Sequence, residues 1–369
     1  MKRWALALSF LCASASAQAP ITQTLDDDTG HALDAFHSAL ARDRARISVW
    51  GASHVASDQF TSALRDALTA RHGEGGPGLF FPARPLTLYD RRDVALAEGT
   101  GLHGVSTRDH HEPDDYGAAG MALDASAPAR ACARLAGDAT SFTARARCDT
   151  DEGSLTLVVG AIRRQGWCVA SHRLALAIET STGAHEVCIT LERGGLRSFG
   201  IDARNARGVV VQNLGVPGSR ARDALLWNET SLARELAAHP PDLVILSYGT
   251  NESAQRRAAA DLRADMRELI ARFHRAAPAA SCLVHGPSDR PRRVRGQWRA
   301  RARSSLVRDA YRDAARAGGC AFFDLLAWTG GPGSMADWAI RGWALTDRAH
   351  FTDASYEALG RDLARAIDP

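Results

Sequence analysis

The chain has 369 residues, 45% of them apolar, and a formal net charge of +3 at neutral pH. Such a length and apolar fraction supply one large domain or two modest ones with a sizeable core, and exclude a disordered chain. Its 45 basic residues, nearly all arginine, are spread along the chain beside 42 acids, so charge makes no case for a nucleic-acid partner.

The N-terminus reads MKRWALALSFLCASASAQAP, with Lys2 and Arg3 ahead of a short apolar stretch and an Ala15-Ser16-Ala17 cleavage pattern. This predicts a secretory signal peptide over 1–17 and export to the periplasm or beyond the cell. Its apolar stretch is too short to span a bilayer, and no later segment is long and apolar enough. Cleavage removes Lys2 and Arg3, taking +3 to +1. Of seven cysteines, Cys12 leaves with this segment, and Cys132, Cys148, Cys168, Cys188, Cys282 and Cys320 remain. An even number in an exported chain predicts disulfides, and pairing near neighbours gives 132–148, 168–188 and 282–320. No C-x-x-C occurs, so no zinc site is expected.

The first strand signal is RISVW at 46–50, followed by helical spacing over 58–71 with Phe60, Leu64 and Leu68 on one face. Residues 80–207 then break the rhythm. Segments such as SLTLVVGAI, WCVASHRLALAIET and HEVCITLE alternate apolar and polar residues as antiparallel strands do. A connection this long must be a module of its own, so 80–207 is expected to be an inserted β-rich, sandwich-like domain. Parallel-strand signals return at 208–212, 242–247, 281–285 and 320–324, separated by helical patterns at 221–238, 253–277, 299–317 and 353–367. The alternation predicts an α/β fold: a flavodoxin-like three-layer sandwich with a five-stranded parallel sheet in the order 2-1-3-4-5. The hydrolase-type domain then comprises 18–79 and 208–369.

In open α/β sheets the site forms beyond the carboxyl ends of the strands. Gly51-Ala52-Ser53-His54 follows the first strand, NLGVPGSRA follows the second, Gly249-Thr250-Asn251-Glu252 follows the third, and Asp347-Arg348-Ala349-His350 precedes the last helix. These types suit acyl transfer. A serine hydroxyl needs a base to become a nucleophile, and His350 is the candidate base for Ser53. Asp347, three residues earlier, is placed to fix the imidazole tautomer. The Ser53 and Gly218 backbone N–H groups and the Asn251 side-chain amide are candidate oxyanion donors, with Gly215 the rival to Gly218. Ser53 at a helix start would also feel the positive end of the helix dipole.

Ser53, Gly218, Asn251 and His350, in that order, resemble the four blocks of SGNH (GDSL-type) hydrolases. The resemblance covers roughly 45–80 and 208–367. It implies a serine nucleophile at Ser53, an oxyanion hole of Ser53, Gly218 and Asn251, a D-x-x-H dyad of Asp347 and His350, and no cofactor or metal. Ala52 stands where the family usually has the loop-supporting aspartate of G-D-S. The stretches GASHVASDQFTSALRDALTARHGEGGPGLFFP and YGTNES most resemble peptidoglycan O-acetylesterases, which carry a carbohydrate-binding-like β module after the first helix. The implied activity is removal of small acyl groups from an acetylated polysaccharide. Acetyl transfer to a sugar, lipase-like acylhydrolysis, and glycan binding without turnover are the alternatives.

Other features carry ordinary readings. His54 reads as a supporting or surface group rather than a substrate contact, and the base role belongs to His350. Gly73-x-Gly75-x-x-Gly78 follows a helix instead of opening one, which excludes a dinucleotide loop. RDHHEPDD at 108–115 and the basic run RPRRVRGQWRARARSS at 290–305 read as solvated segments. Trp338 and Trp343 either stack on a sugar or pack.

Overall fold

The computed structural model of the chain describes residues 25–369, and the expected signal peptide lies outside them. Helix α1 (Asp34–Leu40) leads into strand β1 (Arg44–Gly51), the single turn α2 (Ser53–Ala56) and helix α3 (Gln59–His72). The chain then leaves this layer through β2 (Gly78–Phe80), β3 (Val94–Leu96), β4 (Thr100–Ser106), the turn α4 (Thr107–His110), β5 (Met121–Cys148), β6 (Ser154–Val159), β7 (Ile162–Trp167), β8 (Arg173–Leu191) and β9 (Gly195–Arg204). It returns as β10 (Gly208–Gly215), α5 (Ala221–Ala224), α6 (Glu229–Ala238), β11 (Leu243–Ser247), α7 (Ala259–Ala276) and β12 (Ser281–His285). A hairpin of β13 (Arg292–Val294) and β14 (Gln297–Arg299) precedes α8 (Ala302–Ala317), β15 (Ala321–Phe323), α9 (Leu325–Trp328), α10 (Ser334–Ile340) and α11 (Asp353–Ile367).

The five parallel strands run β10-β1-β11-β12-β15, the expected 2-1-3-4-5 order. Their faces are sorted by strand alternation. Ile47 and Val49 of β1 pack with Phe36 of α1, Phe60 and Leu64 of α3, and Leu359 and Leu363 of α11. Trp50 turns to the opposite face, against Phe273 of α7, in the cluster that also holds Tyr311 of α8. Helices therefore cover both faces, which is why these strands read as unbroken apolar runs. In the ladder Gly51 lies beside both Gly215 and Ser247. Three strands thus end level, and the loops after them open at one edge.

The remaining strands form an antiparallel sheet ordered β2-β9-β5-β8-β6-β7, with β3 and β4 also paired to β5. The 28-residue β5 is its spine. Residues 129–134 pair with 186–191 of β8, and after an irregularity between Arg134 and Ala139 residues 141–147 pair with 173–179 of the same strand. Ala129, Ala131, Ala133 and Leu135 are buried while Arg130 and Arg134 are exposed, the alternation of a sheet wet on one side.

The three disulfides are Cys132–Cys188, Cys148–Cys168 and Cys282–Cys320. The near-neighbour expectation holds at 282–320 and fails at the other two. Cys132 and Cys148 lie far apart along one extended strand, whereas Cys132 faces Cys188 across the β5–β8 ladder. Other expectations also shift. The pattern at 221–238 is two helices, because Asn228 caps α6 by accepting from the Ser231 N–H at 2.9 Å. The 290–305 run holds an exposed hairpin ahead of α8, rather than a helix from 299.

The acidic end of RDHHEPDD is not a solvated loop. Asp115 is buried and accepts from Arg173 and Ser231, Asp114 pairs with Arg197, and Glu235 of α6 takes both Arg145 and Arg173. Asp114 and Asp115 thus pair with arginines of β9 and β8, and Glu235 joins Arg145 and Arg173 of the antiparallel sheet to α6. Among the described residues no helix is long and apolar enough to cross a membrane.

Candidate active site

Ser53 lies immediately past β1, at the start of α2. This turn is separated from α3 by Ser57 and by Asp58, whose φ is 58°. Ser53 therefore starts a single helical turn, and the α3 dipole is not aligned behind it. Asp58 is fully buried, accepting from the Thr61 hydroxyl at 2.6 Å, the Arg92 N–H at 2.8 Å and the Asn213 amide at 3.1 Å. Ala52 has no polar side chain to brace the loop, and Asp58 instead ties the loop after β1 to strand β10 and to Arg92.

His350 reaches Ser53 from the other end of the domain. Its Nε2 lies 2.8 Å from Ser53 Oγ, and its Nδ1 lies 2.6 Å from Asp347 Oδ2. Asp347 Oδ1 also accepts the backbone N–H groups of Ala349, at 2.9 Å, and His350, at 3.1 Å. Burial pushes the Asp347 carboxyl up, but the His350 hydrogen bond and these two backbone bonds outweigh it and hold the group below the ordinary carboxylate range. The loop is closed by the Ala344–Phe351 bridge and turned by Arg348 at φ 56°. With the carboxylate on Nδ1, the free lone pair of a neutral ring sits on Nε2, facing the serine.

Gly218 has φ 80° and open space where a Cβ would be. Among the described residues neither its N–H nor that of Ser53 donates to a protein acceptor. The rival Gly215 is accounted for differently: its N–H donates to Asn213 Oδ1 at 3.1 Å, and an added Cβ would stand 2.4 Å from the Ala56 nitrogen. Gly215 is a close-packing position. Asn251 Nδ2 donates to Ser219 O at 3.0 Å, which draws this amide to the Gly218 loop, and Asn251 Oδ1 accepts from Arg290 at 3.1 Å.

Buried Glu252 holds these loops in register. It accepts the N–H of Ala221 at 2.8 Å and of Gly249 at 3.0 Å, and the Tyr311 hydroxyl at 2.7 Å. Its burial raises the carboxyl pKa. His54 is also buried: Nδ1 lies 2.7 Å from the Tyr356 hydroxyl, Nε2 lies 3.0 Å from Ser288 Oγ, and the ring stacks on Phe351 at 5.0 Å. Burial, then the neighbouring His350, lowers its pKa to about 3. With both nitrogens engaged and its pKa lowered by burial, His54 is a neutral strut. Trp338 packs among Trp328, Trp343 and Phe351 at 5.3–5.6 Å. It is half-buried in an aromatic cluster beside the Asp347–His350 loop.

Asp58, Glu252 and Arg290 escape sequence reasoning. Each acts on backbone or side chains distant in the chain. The local signals were only a polar residue before a helix, an acid after Asn251 and one arginine among many.

The sequence model of the GDSL-like lipase/acylhydrolase family matches residues 195–358. The matched segment, less than half of the chain, holds Gly218, Asn251, Asp347 and His350, while Ser53 lies ahead of it, before the antiparallel sheet. Comparison of the sequence with curated proteins finds no match. Among solved structures, a peptidoglycan O-acetylesterase aligns over 93% of this chain and 98% of its own, with TM-score 0.77 and 24% identity. That likeness shows the fold of both sheets together. An acetylxylan esterase from Geobacillus stearothermophilus aligns over 44% of this chain and 74% of its own, with TM-score 0.33 and 17% identity.

Proposed function

We propose that the chain is an exported serine esterase that removes O-acetyl groups from a cell-envelope carbohydrate, with peptidoglycan as the polymer. The observation that carries this is the relay from Asp347 through His350 to Ser53, with spacings of 2.6 and 2.8 Å, at the sheet edge shared with Gly218 and Asn251. His350 Nε2 takes the Ser53 proton as Oγ bonds to the acetyl carbonyl carbon. The oxyanion so formed is met by the Ser53 and Gly218 N–H groups and the Asn251 amide. The ester C–O bond then breaks, and His350 returns the proton to the sugar oxygen that leaves. Water, deprotonated by the same imidazole, splits the acetyl-serine into acetate and free Ser53.

Support for the substrate comes from the peptidoglycan O-acetylesterase that aligns with both sheets, and support for export from three disulfides. In this reading residues 18–79 and 208–369 form the catalytic domain, and 80–207 are an inserted module. The test is acetate release from O-acetylated peptidoglycan against acetylated xylan. Preferential release from peptidoglycan is expected, and equal or greater release from xylan would reject the substrate assignment.

A further inference from the structure

We propose that the β13–β14 hairpin is an anion-binding subsite that holds carboxylates carried by the substrate polymer. This rests on the esterase reading above. Between residues 290 and 303 the chain has seven arginines and no acid. Most arginines elsewhere in the structure sit in ion pairs, yet among the described residues none of these seven lies within ion-pair distance of a carboxylate. Arg292, Arg293, Arg295 and Arg299 are exposed on an ordered two-stranded hairpin. Like charges crowd one another at its base: burial first, and then Arg292 and Arg303, lower the pKa of Arg301.

Two contacts fix this charge beside the reacting groups. The Arg348 guanidinium, inside the Asp347–His350 loop, lies 4.3 Å over the Trp298 ring of β14. Arg290, just ahead of β13, donates to Asn251 Oδ1 at 3.1 Å. The hairpin is therefore tethered on one side to the dyad loop and on the other to an oxyanion candidate. An acetyl ester is neutral and gives such a cluster nothing to bind. A polymer bearing free carboxylates near the ester does, and guanidinium groups hold carboxylates through paired N–H donors.

The test is equilibrium binding to the Ser53→Ala protein, which separates binding from turnover. The probes are a disaccharide–peptide fragment of peptidoglycan with free carboxylates and the same fragment with its carboxylates amidated. The free-carboxylate fragment should bind about tenfold tighter, and the difference should shrink as salt rises. An Arg292→Gln/Arg293→Gln/Arg295→Gln variant should lose that difference, and the corresponding lysine variant should recover part of it. Equal binding of both fragments, or binding unmoved by the glutamine substitutions, would overturn the subsite. Tighter binding to vesicles of anionic lipid than to the free-carboxylate fragment would overturn its assignment to the substrate. Failure of the wild-type chain to release acetate from any ester would reject the esterase reading, while the binding comparison would still decide whether the hairpin holds carboxylates.

Discussion

Asp347 and His350 are three positions apart, and the turn between them lets one carboxylate bond the ring and two backbone N–H groups at once. Those bonds keep the carboxyl below its ordinary range, so the pairing is complete above the unfolded carboxylate value and is lost only as pH falls through the lowered folded value. Asp347→Asn is therefore expected to keep the fold and lower kcat for acetyl-ester hydrolysis by about 10³–10⁴, because the amide favours the wrong imidazole tautomer. Steady-state kinetics on p-nitrophenyl acetate checks this, and a loss under about tenfold would remove Asp347 from the relay. Ser53, Asn251 and His350 were legible because each sits just past a strand or just before a helix and each has a chemistry-bearing side chain. Asp58, Glu252 and Arg290 were not. Their significance is the set of distant groups they touch, and a single chain position does not announce its partners.

The parallel strands were legible within a few residues, since full burial on both faces makes an unbroken apolar run. The antiparallel segment was legible as β-rich but not in its pairing. The 28-residue β5 serves β8 along two stretches, and its register depends on a partner some fifty residues away. Disulfide connectivity follows that register, which is why near-neighbour pairing failed for Cys132 and Cys148. Cys282 on β12 and Cys320, immediately before the adjacent strand β15, close a 38-residue separation. A Cys282→Ser/Cys320→Ser chain should lose up to about 4 kcal/mol of stability on a loop-closure basis. Urea unfolding with and without reductant measures it. An unchanged midpoint would mean that the bond adds nothing to the parallel sheet.

The molecule also carries a built-in response to acid. His54 and His285 are held to about 3, and His239 to about 4, chiefly by burial. His285 is sandwiched between Phe60 and Phe323, with Nδ1 2.8 Å from Ser247 Oγ. The unfolded chain protonates these rings near the ordinary histidine value, but the folded chain does not until far lower pH. Stability is thus complete above about 6.5 and falls as pH drops toward 3–4, by about 1.4 kcal/mol per pH unit for each ring. The urea midpoint should fall steadily from about pH 7 to about pH 5, and a flat midpoint would show that these rings protonate in place. The same compact arrangement brings Ser53 and His350 together although 297 positions separate them. The most direct measurement is p-nitrophenyl acetate hydrolysis by the wild-type chain and by Ser53→Ala, both verified as folded. A loss of at least about 10³ in kcat is predicted for the variant, and equal rates would contradict Ser53 as the nucleophile.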